Sequence, residues 1–328
     1  MAIQITIIGL GQIGASVGLA LGDQKNIITR VGHDKEPEVS RRAKQIDAVD
    51  RTEYNLFSAV AGADLVLLTL PTDQIKETLK LIGPELREGA VVMDTALAKE
   101  TVGEWASQYL PAERHYIGLI PIINSAYLHE LDTGIEAAHV DLFQKGLMAI
   151  VSQPDTNPEA IKLAADLTRL IGSTPLFADA AEMDGIIAST HLLPQILAAA
   201  LLNVTVDQPG WYEGRKLAGR AYAEATSAML QPTSPESLAS SAIYNPENTI
   251  RVINGLIAVL HNMRDDLQNQ DIQSLTERLE RAQTGREIWW NQRQADDWVN
   301  EEFPGTGELP KAGDVFGNLL GIRRKTKK

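Results

Sequence analysis

Three glycines near the start of the chain have the spacing of a phosphate-binding turn. Gly9, Gly11 and Gly14 follow an isoleucine-rich run in the pattern Gly-x-Gly-x-x-Gly. In such a turn the first glycine makes the tight bend, the second lets backbone N–H groups approach a pyrophosphate, and the third lets the next helix pack on the strand. The N-terminus of that helix adds unpaired donors and a positive dipole end. These features predict a dinucleotide site formed by Gly9, Leu10, Gly11, Gln12, Ile13 and Gly14.

An acidic residue stands where the ribose of such a ligand would lie. Asp34 follows a second apolar stretch, residues 27–31. A carboxylate there accepts hydrogen bonds from the adenosine ribose, which favours NAD. Lys35 would suit the extra phosphate of NADP, so NADP stays open. The alternative is a glycine-rich turn in an unrelated α/β protein, but the order of strand, turn, helix, strand and acid favours the dinucleotide. Further cofactor contacts are assigned to Leu70, Pro71, Thr72 and Thr95.

A second candidate site lies around the apolar run of residues 186–204. Asp184, His191 and Gln195 are spaced at i, i+7 and i+11, so a regular helix would place them on one face. A polar stripe facing the cofactor domain would make a substrate site, with His191 as the proton-transfer group. The other interpretation is a core histidine satisfied by a backbone carbonyl, and the spacing leaves both open.

The elements that position these residues divide the chain into two kinds of sequence. Buried strands alternate with helices up to residue 178, which predicts an α/β fold with an N-terminal Rossmann-like parallel sheet. Residues 179–295 show helical periodicity without strand signals, which predicts an all-helical domain for substrate binding and dimerisation. Residues 296–328 are rich in glycine and proline and end in a basic cluster. They are expected to form an extended arm with a solvated tail.

Composition excludes several classes of partner. The chain has 328 residues, a net charge of −13 and no cysteine. The acidic balance argues against nucleic acid, and the acids and histidines never fall at the spacing of metal ligands. The apolar run of residues 186–204 includes serine, threonine, histidine and proline, so we expect a buried helix rather than a membrane span. The chain begins directly with a core strand, which predicts a cytoplasmic protein without a signal peptide.

Four segments together resemble the prephenate/arogenate dehydrogenases. Residues 9–16 look like that family's cofactor loop, and residues 94–99 stand where it has an Asp-x-x-Ser-x-Lys turn ending in Lys99. Residues 118–121 match its Gly-x-His-Pro segment, and residues 184–195 match the helix of its Ser-His-x-Pro-His motif. The resemblance implies a homodimer, paired through the helical domain, that makes the tyrosine precursor by oxidative decarboxylation of a cyclohexadiene.

The sequence departs from that family at the substrate site. Ile120 stands at the histidine before proline, and Leu97 at the serine. Counting from Pro194 puts Leu192 and Gln195 at the two histidines of the helix motif, with His191 one position early, although a shift by one would align His191 instead. The arginines of the family's Gly-Phe-Arg-Asp-x-Thr-Arg segment are missing from residues 221–227. The substrate contacts implied for this chain are therefore Leu97, Ile120, Gln195, Arg215, Arg220 and Tyr222.

Three hypotheses about function follow. The first is a tyrosine-pathway dehydrogenase with a rearranged site, in which His191 replaces the missing base and Arg215 or Arg220 binds a carboxylate. The second is a related NAD-dependent oxidoreductase for a less anionic substrate, with His191 or Lys99 transferring the proton and the isoleucines around Ile120 lining the pocket. The third is a non-catalytic dinucleotide-binding sensor or scaffold.

Overall fold

A computed structural model describes residues 3–130, 132–230 and 234–295. Its first part is built on one eight-stranded sheet in the order β3-β2-β1-β4-β5-β6-β7-β8. Strands β1 to β6 are parallel, β7 runs antiparallel to β6, and β8 is parallel to β7. The strands are β1 Ile3–Ile8, β2 Ile28–His33, β3 Arg51–Thr52, β4 Leu65–Leu68, β5 Val91–Asp94, β6 His115–Ile122, β7 Leu147–Val151 and β8 Thr174–Ala178.

Helices cover both faces of this sheet. Leu65 and Leu67 of β4 belong to one core cluster, and Val66 and Leu68 to the other. Successive side chains of a strand point to opposite faces, so a strand buried on both sides needs an unbroken apolar run. The helices are α1 Gln12–Ala20, α2 Pro37–Gln45, α3 Leu56–Val60, α4 Thr72–Ile82, α5 Lys99–Tyr109 and α6 Pro158–Leu170.

The chain after the sheet is helical. Within the described residues beyond β8, the structure contains helices and turns and no strand. The predicted fold class, a Rossmann-like sheet followed by helices, is therefore confirmed. The proposed domain boundary at residue 178 stays a prediction, and the predicted arm of residues 296–328 lies outside the described residues. The helices are α7 Ala180–Ile187, α8 Leu193–Val206, α9 Trp211–Leu217, α10 Arg220–Thr226, α11 Pro235–Ile243, α12 Pro246–Gln268 and α13 Ile272–Ala295.

The helix expected to be buried is largely exposed in the single chain. Residues Ala180–Val206 form one continuous helical stretch that is long and apolar enough to cross a membrane by length and composition alone. Only 22% of its apolar window is buried, and Ala198 is the one buried residue of α8. The prediction of a buried helix is therefore wrong for the isolated chain, because the helices that follow leave one side of α8 uncovered.

Candidate active site

The glycine turn lies at the point where the strand order of the sheet reverses. The chain leaves β1 toward β2 and β3 on one side and continues with β4 and β5 on the other, which is where open α/β sheets bind ligands. Gly9 has a φ of +91°, a conformation that favours glycine. A Cβ on Gly14 would lie 2.0 Å from the Gly9 carbonyl oxygen. The protein itself thus requires glycine at both positions.

Gly11 is required by nothing in the protein. A Cβ at this position would meet no atom within 4 Å. Gly11 is also the N-cap of α1, whose first turn carries no acidic residue. Open space at a helix N-terminus, with free N–H groups and no competing carboxylate, suits the pyrophosphate of a dinucleotide. The residues of this turn therefore fit the predicted cofactor.

Asp34 is tied to the same turn. Its Oδ2 accepts a hydrogen bond from the Leu10 N–H at 2.8 Å, and its Oδ1 accepts one from Glu36 N–H at 2.9 Å. These bonds hold the carboxylate at the end of β2, and each oxygen keeps a further lone pair for a ribose hydroxyl. Lys35, beside it, is exposed.

The other predicted cofactor residues follow neighbouring strands. Leu70 and Pro71 come after β4, and the half-buried Thr95 comes directly after β5. Thr72 begins α4, where its hydroxyl contacts the Ser241 hydroxyl at 2.8 Å and accepts the Leu97 N–H at 3.3 Å. These residues thus line the carboxyl ends of β4 and β5 next to the glycine turn, and Thr72 also joins this edge to the helical part.

A segment after β6 borders the turn on its other side. Gln12 Nε2 donates to Glu130 at 3.4 Å, and Glu130 contacts His139 Nε2 at 2.6 Å. The His139 N–H donates to Ser16 of α1 at 3.0 Å, and its ring stacks on Tyr127 with centroids 4.1 Å apart. Gln12, predicted as a cofactor residue, is therefore held by a network that sequence spacing did not reveal.

A buried ion pair occupies the end of β5. Lys99 Nζ donates to Asp94 Oδ1 at 2.9 Å, and both side chains are fully buried. Tyr116 donates its hydroxyl to Asp94 Oδ2 at 2.6 Å, and the Ala96 N–H donates to Oδ1 at 2.8 Å. Burial lowers the pKa of Lys99, and burial beside Asp94 raises the pKa of Tyr116 well above its usual value. The ammonium lies inside the protein, so the structure does not support Lys99 as a proton-transfer group in contact with substrate.

The first helix of the C-terminal part is anchored to the same place. Asp184 of α7 accepts hydrogen bonds from the N–H of Lys99 at 2.6 Å and of Glu100 at 3.1 Å. This side chain, from the helical part of the chain, therefore caps the N-terminus of α5. Asn245 Nδ2 donates to the Asp184 carbonyl at 2.7 Å. Burial raises the pKa of Asp184, against the opposing effect of the two N–H donors. The cofactor domain and α7 therefore share one buried polar contact.

An apolar cluster lies where the related family has polar groups. Ile120 and Leu192 are 2% and 0% exposed and belong to one cluster with Ile187, and Leu97 packs against it. Positions 120 and 192, two of the three that align with family histidines when the helix motif is counted from Pro194, thus share an apolar contact region. Ile120, predicted as a substrate contact, is packed in this cluster and almost inaccessible to solvent.

The helix that carries His191 is not a regular α-helix. Residues Ala188–Leu192 form a π turn between α7 and α8. Pro194 accounts for this irregularity, because it has no N–H to donate and its ring crowds the carbonyl four residues earlier, that of Thr190. A π turn contains one more residue than an α turn. Leu192 and not His191 therefore continues the buried face of Asp184, and the predicted stripe of Asp184, His191 and Gln195 is wrong.

His191 is half-buried at the edge of this face. Its Nδ1 lies 2.9 Å from the Thr190 hydroxyl, and burial lowers the pKa of the ring. Gln195 Nε2 donates to the His191 carbonyl at 3.0 Å, so this amide supports the helix. At neutral pH the imidazole is uncharged and able to accept a proton.

The predicted carboxylate-binding arginines lie on the surface of other helices. Arg215 of α9 stacks on the Tyr212 ring, with its guanidinium 4.7 Å from the centroid. Arg220 pairs with Glu224 at 2.7 Å and has a side chain that is 90% exposed. Tyr222 contacts the Thr205 hydroxyl at 2.8 Å. The structure does not bring these residues into the cluster around Ile120.

Sequence reasoning missed the groups that hold the site together. Asp94, Tyr116, Thr190 and Asn245 were not singled out, although each bonds a predicted site residue or its neighbour in the fold. Thr190 had a local signal, since it directly precedes the histidine. Lys99 and Ala96 are local partners of Asp94 within the turn of residues 94–99. Tyr116 and the partners of Asp184, in contrast, come from distant parts of the chain that no spacing pattern reveals.

Comparisons with known proteins agree with this arrangement. Residues 17–175 match the family model described as prephenate dehydrogenase, nucleotide-binding domain, and residues 179–281 match prephenate dehydrogenase, dimerization domain. The cyclohexadienyl dehydrogenase of Zymomonas mobilis is 25% identical over 288 residues, which cover 86% of this chain and 94% of that protein. The prephenate dehydrogenase of Bacillus subtilis is 22% identical over 275 residues, 83% of this chain and 72% of that one.

A solved structure shares the fold. The prephenate dehydrogenase from A. aeolicus, in complex with hydroxyphenyl propionate and NAD+, aligns with a TM-score of 0.77 and 19% identity over 88% of this chain and 98% of that one. The two family models match consecutive parts of the chain, the nucleotide-binding model the sheet and the dimerization model the helices. The chain therefore belongs to the prephenate dehydrogenase family of NAD-dependent oxidoreductases.

Proposed function

We propose that this protein oxidatively decarboxylates a cyclohexadiene, prephenate or arogenate, with NAD as the cofactor, in tyrosine biosynthesis. The observation that carries the proposal is the open cradle at Gly11, on a chain that matches both domains of the family. The apolar cluster of Ile120 and Leu192 would suit the second hypothesis, a less anionic substrate, but the family matches do not favour it, and no observation in the described residues favours a non-catalytic sensor. The experiment below distinguishes all three.

The cofactor supplies a nicotinamide ring that accepts a hydride. The free N–H groups at the start of α1 bind its pyrophosphate, and Asp34 binds the adenosine ribose. Asp34 and the exposed Glu36 both repel an additional phosphate, so NAD is the expected cofactor despite Lys35. Leu70, Pro71, Thr72 and Thr95 border the remaining length of the dinucleotide.

His191 is the proton acceptor in this proposal. Its lowered pKa keeps the ring neutral at physiological pH, as a general base requires. Lys99 has a positioning role, because its ammonium fixes Asp94 and its backbone N–H receives the cap from Asp184. The two residues assigned to catalysis from the sequence thus act differently, one on the substrate and one on the protein.

The substrate lies against an apolar wall. Leu97 and the cluster of Ile120 exclude water from the reacting ring, and Gln195 lies one turn beyond the histidine. Arg215, Arg220 and Tyr222, the predicted substrate contacts, lie on α9 and α10 outside this cluster, and Arg220 is already paired with Glu224. Carboxylate binding is therefore not assigned to them.

The protein functions as a soluble cytoplasmic homodimer in this proposal. The match of residues 179–281 to a dimerization domain supports pairing through the helices. A second copy on α8 would remove its exposed apolar surface from water, which explains why a helix with membrane-like composition occurs in this fold. No role for a membrane or nucleic acid is proposed.

The experiment is NAD-dependent turnover of prephenate and arogenate by the purified protein, read as reduced-nicotinamide absorbance. We expect turnover of at least one of them, and a fall in kcat of about 10²–10⁴-fold in His191→Ala. His261→Gln, an exposed histidine on α12, is the matched control and should keep activity. NAD binding by calorimetry without turnover of either compound would reject the proposed substrate, and unchanged kcat in His191→Ala would reject the proposed base.

A further inference from the structure

The hydrogen bonds of Thr190 bear on which ring nitrogen of His191 carries the proton. Thr190 Oγ1 lies 2.8 Å from the Ile186 carbonyl oxygen and 2.9 Å from His191 Nδ1. The carbonyl oxygen can only accept a hydrogen bond, so the single hydroxyl proton of Thr190 is donated to Ile186. The contact with His191 then requires a proton on the ring nitrogen.

This requirement fixes the tautomer. In the neutral imidazole one nitrogen carries the proton and the other is an acceptor. With the proton on Nδ1, pointing at the Thr190 oxygen, Nε2 has an unprotonated lone pair. We propose that Thr190 is a positioning residue that holds His191 in the Nδ1–H tautomer and thereby presents Nε2 as the proton acceptor.

The contact between Thr190 and His191 lies entirely within the π turn. Thr190 and His191 are sequence neighbours, and both belong to the turn Ala188–Leu192. Ser189, also in the turn, donates to the same Ile186 carbonyl at 2.8 Å but makes no contact with the histidine among those observed in the described residues. Ser189 therefore separates the effect of bonding that carbonyl from the effect of contacting the ring.

The catalytic meaning of the tautomer rests on the proposed function, whereas the tautomer itself does not. The first measurement is therefore a long-range ¹H–¹⁵N correlation on the full-length protein with ¹⁵N-labelled histidine, at a pH where the ring is neutral. The chain has six histidines, and the His191 signals are those lost in His191→Gln. We expect a protonated-type shift at Nδ1 and an unprotonated-type shift at Nε2. A protonated Nε2 in the wild-type protein would overturn the proposal, whether or not prephenate is turned over.

The second measurement uses variants of the hydroxyl. Thr190→Val keeps the shape and removes both hydrogen bonds, so the Nδ1–H pattern should be lost and kcat should fall by roughly tenfold to a hundredfold, at or below the lower end of the range of about 10²–10⁴-fold for loss of a general base itself. KM and NAD affinity should stay the same. Thr190→Ser should restore both the shifts and kcat, and Ser189→Ala should leave them unchanged. A fall in kcat in Thr190→Val without a change of tautomer, or an unchanged kcat with a changed tautomer, would overturn the positioning role. If Thr190→Val does not fold, two other results test the proposal. The wild-type shifts must show a protonated Nδ1, and Thr190→Ser must keep the wild-type shifts and kcat.

Discussion

The three glycines of the cofactor turn differ in what an added side chain would meet. At Gly9 the backbone conformation favours glycine, and at Gly14 the Gly9 carbonyl oxygen occupies the space of a Cβ. At Gly11 the surrounding space is open. The fold therefore requires two of these glycines, and the third leaves space in which the proposed pyrophosphate fits.

A pair of alanine variants tests this distinction. Gly11→Ala should fold with nearly unchanged thermal stability and lose NAD affinity, by tenfold or more, because the methyl group enters the ligand's space. Gly14→Ala should lose about 1–3 kcal/mol of unfolding free energy, the usual cost of overpacking. Thermal denaturation and calorimetric titration with NAD measure the two effects. Normal NAD affinity in Gly11→Ala would contradict the placement of the pyrophosphate.

Residue types alone predicted the conformation of the glycine turn but not the register of the helix that carries His191. The turn depends on local conformation, which Gly9, Gly11 and Gly14 determine within a few positions. The side of the helix on which His191 lies depends on the π turn that Pro194 induces. The spacing i, i+7 and i+11 would place residues on one side only in a regular α-helix. Proline was visible in the sequence, and its position inside a helical period was the signal that the register would change.

At the scale of elements, β5, β6 and α5 are joined by the Asp94 carboxylate. It receives the ammonium of Lys99, the hydroxyl of Tyr116 and the N–H of Ala96. Gly118 of β6 is small because a Cβ there would lie 2.8 Å from Lys99 Cδ. The glycine of the Gly-x-His-Pro segment therefore makes room for the lysine of the preceding turn.

Removing one donor should measure the value of this network. Tyr116→Phe leaves Asp94 Oδ2 without the phenol, and an unsatisfied buried acceptor costs about 1–3 kcal/mol. Denaturant unfolding should therefore show a lower midpoint with an unchanged slope. Tyr54→Phe, at an exposed position, is the control. Equal stability of the two variants would mean that the Tyr116 hydroxyl adds nothing.

The buried carboxylate of Asp184, which lies on α7 and caps α5, should make the free energy of unfolding depend on pH. Burial raises the pKa of Asp184 in the folded protein above the usual pKa of an aspartate, so the folded state binds more protons than the unfolded state at pH values between the usual and the raised pKa. The contribution of Asp184 to unfolding free energy therefore declines as pH rises through this window. We expect the difference in unfolding free energy between wild type and Asp184→Asn to decline with it.

Urea titrations at several pH values measure that difference. Asp179→Asn, which removes the charge of the exposed N-cap of α7 and keeps an acceptor there, is the comparison and should not give the decline. A difference that is flat, or that grows with pH, would contradict the buried carboxylate.

Elements were predictable where periodicity was long. The alternation of strands and helices predicted up to residue 178 is present and includes α5, Lys99–Tyr109, and β8, Thr174–Ala178. Strand β6 extends to Ile122 because its second half pairs with the antiparallel β7. The two-residue β3 and the five-residue α3 were missed, since neither is long enough to show a period.

At the scale of the molecule, the exposed side of α8 is the largest departure from expectation. Leu197 and Val204 are 43% and 63% exposed in the single chain. A contiguous apolar surface of this kind marks an interaction site. The sequence showed an apolar helix but not that the rest of the single chain leaves it exposed.

A charge on this surface should prevent pairing. Leu197→Glu and Val204→Glu would place a carboxylate in an apolar interface, where an unpaired buried charge costs several kcal/mol. We expect the wild type to sediment as a dimer at micromolar concentration and the variants as monomers, all without detergent. Tyr54→Glu, on the N-terminal part, should remain dimeric. A wild type that sediments as a monomer, or that needs detergent to stay in solution, would refute the pairing.

The π turn also affects how this chain can change in length. Deleting a residue from an α-helix rotates everything beyond it by about 100°, which normally turns a buried face to solvent. Between Asp184 and Pro194 the extra residue is stored in one turn, so loss of a residue such as Ser189 would return the turn to α geometry while both flanks keep their faces. Deletion of one residue here is thus close to silent for the fold. Over evolutionary time, such a segment lets a side chain of the turn move by one position while the helices on either side keep their contacts.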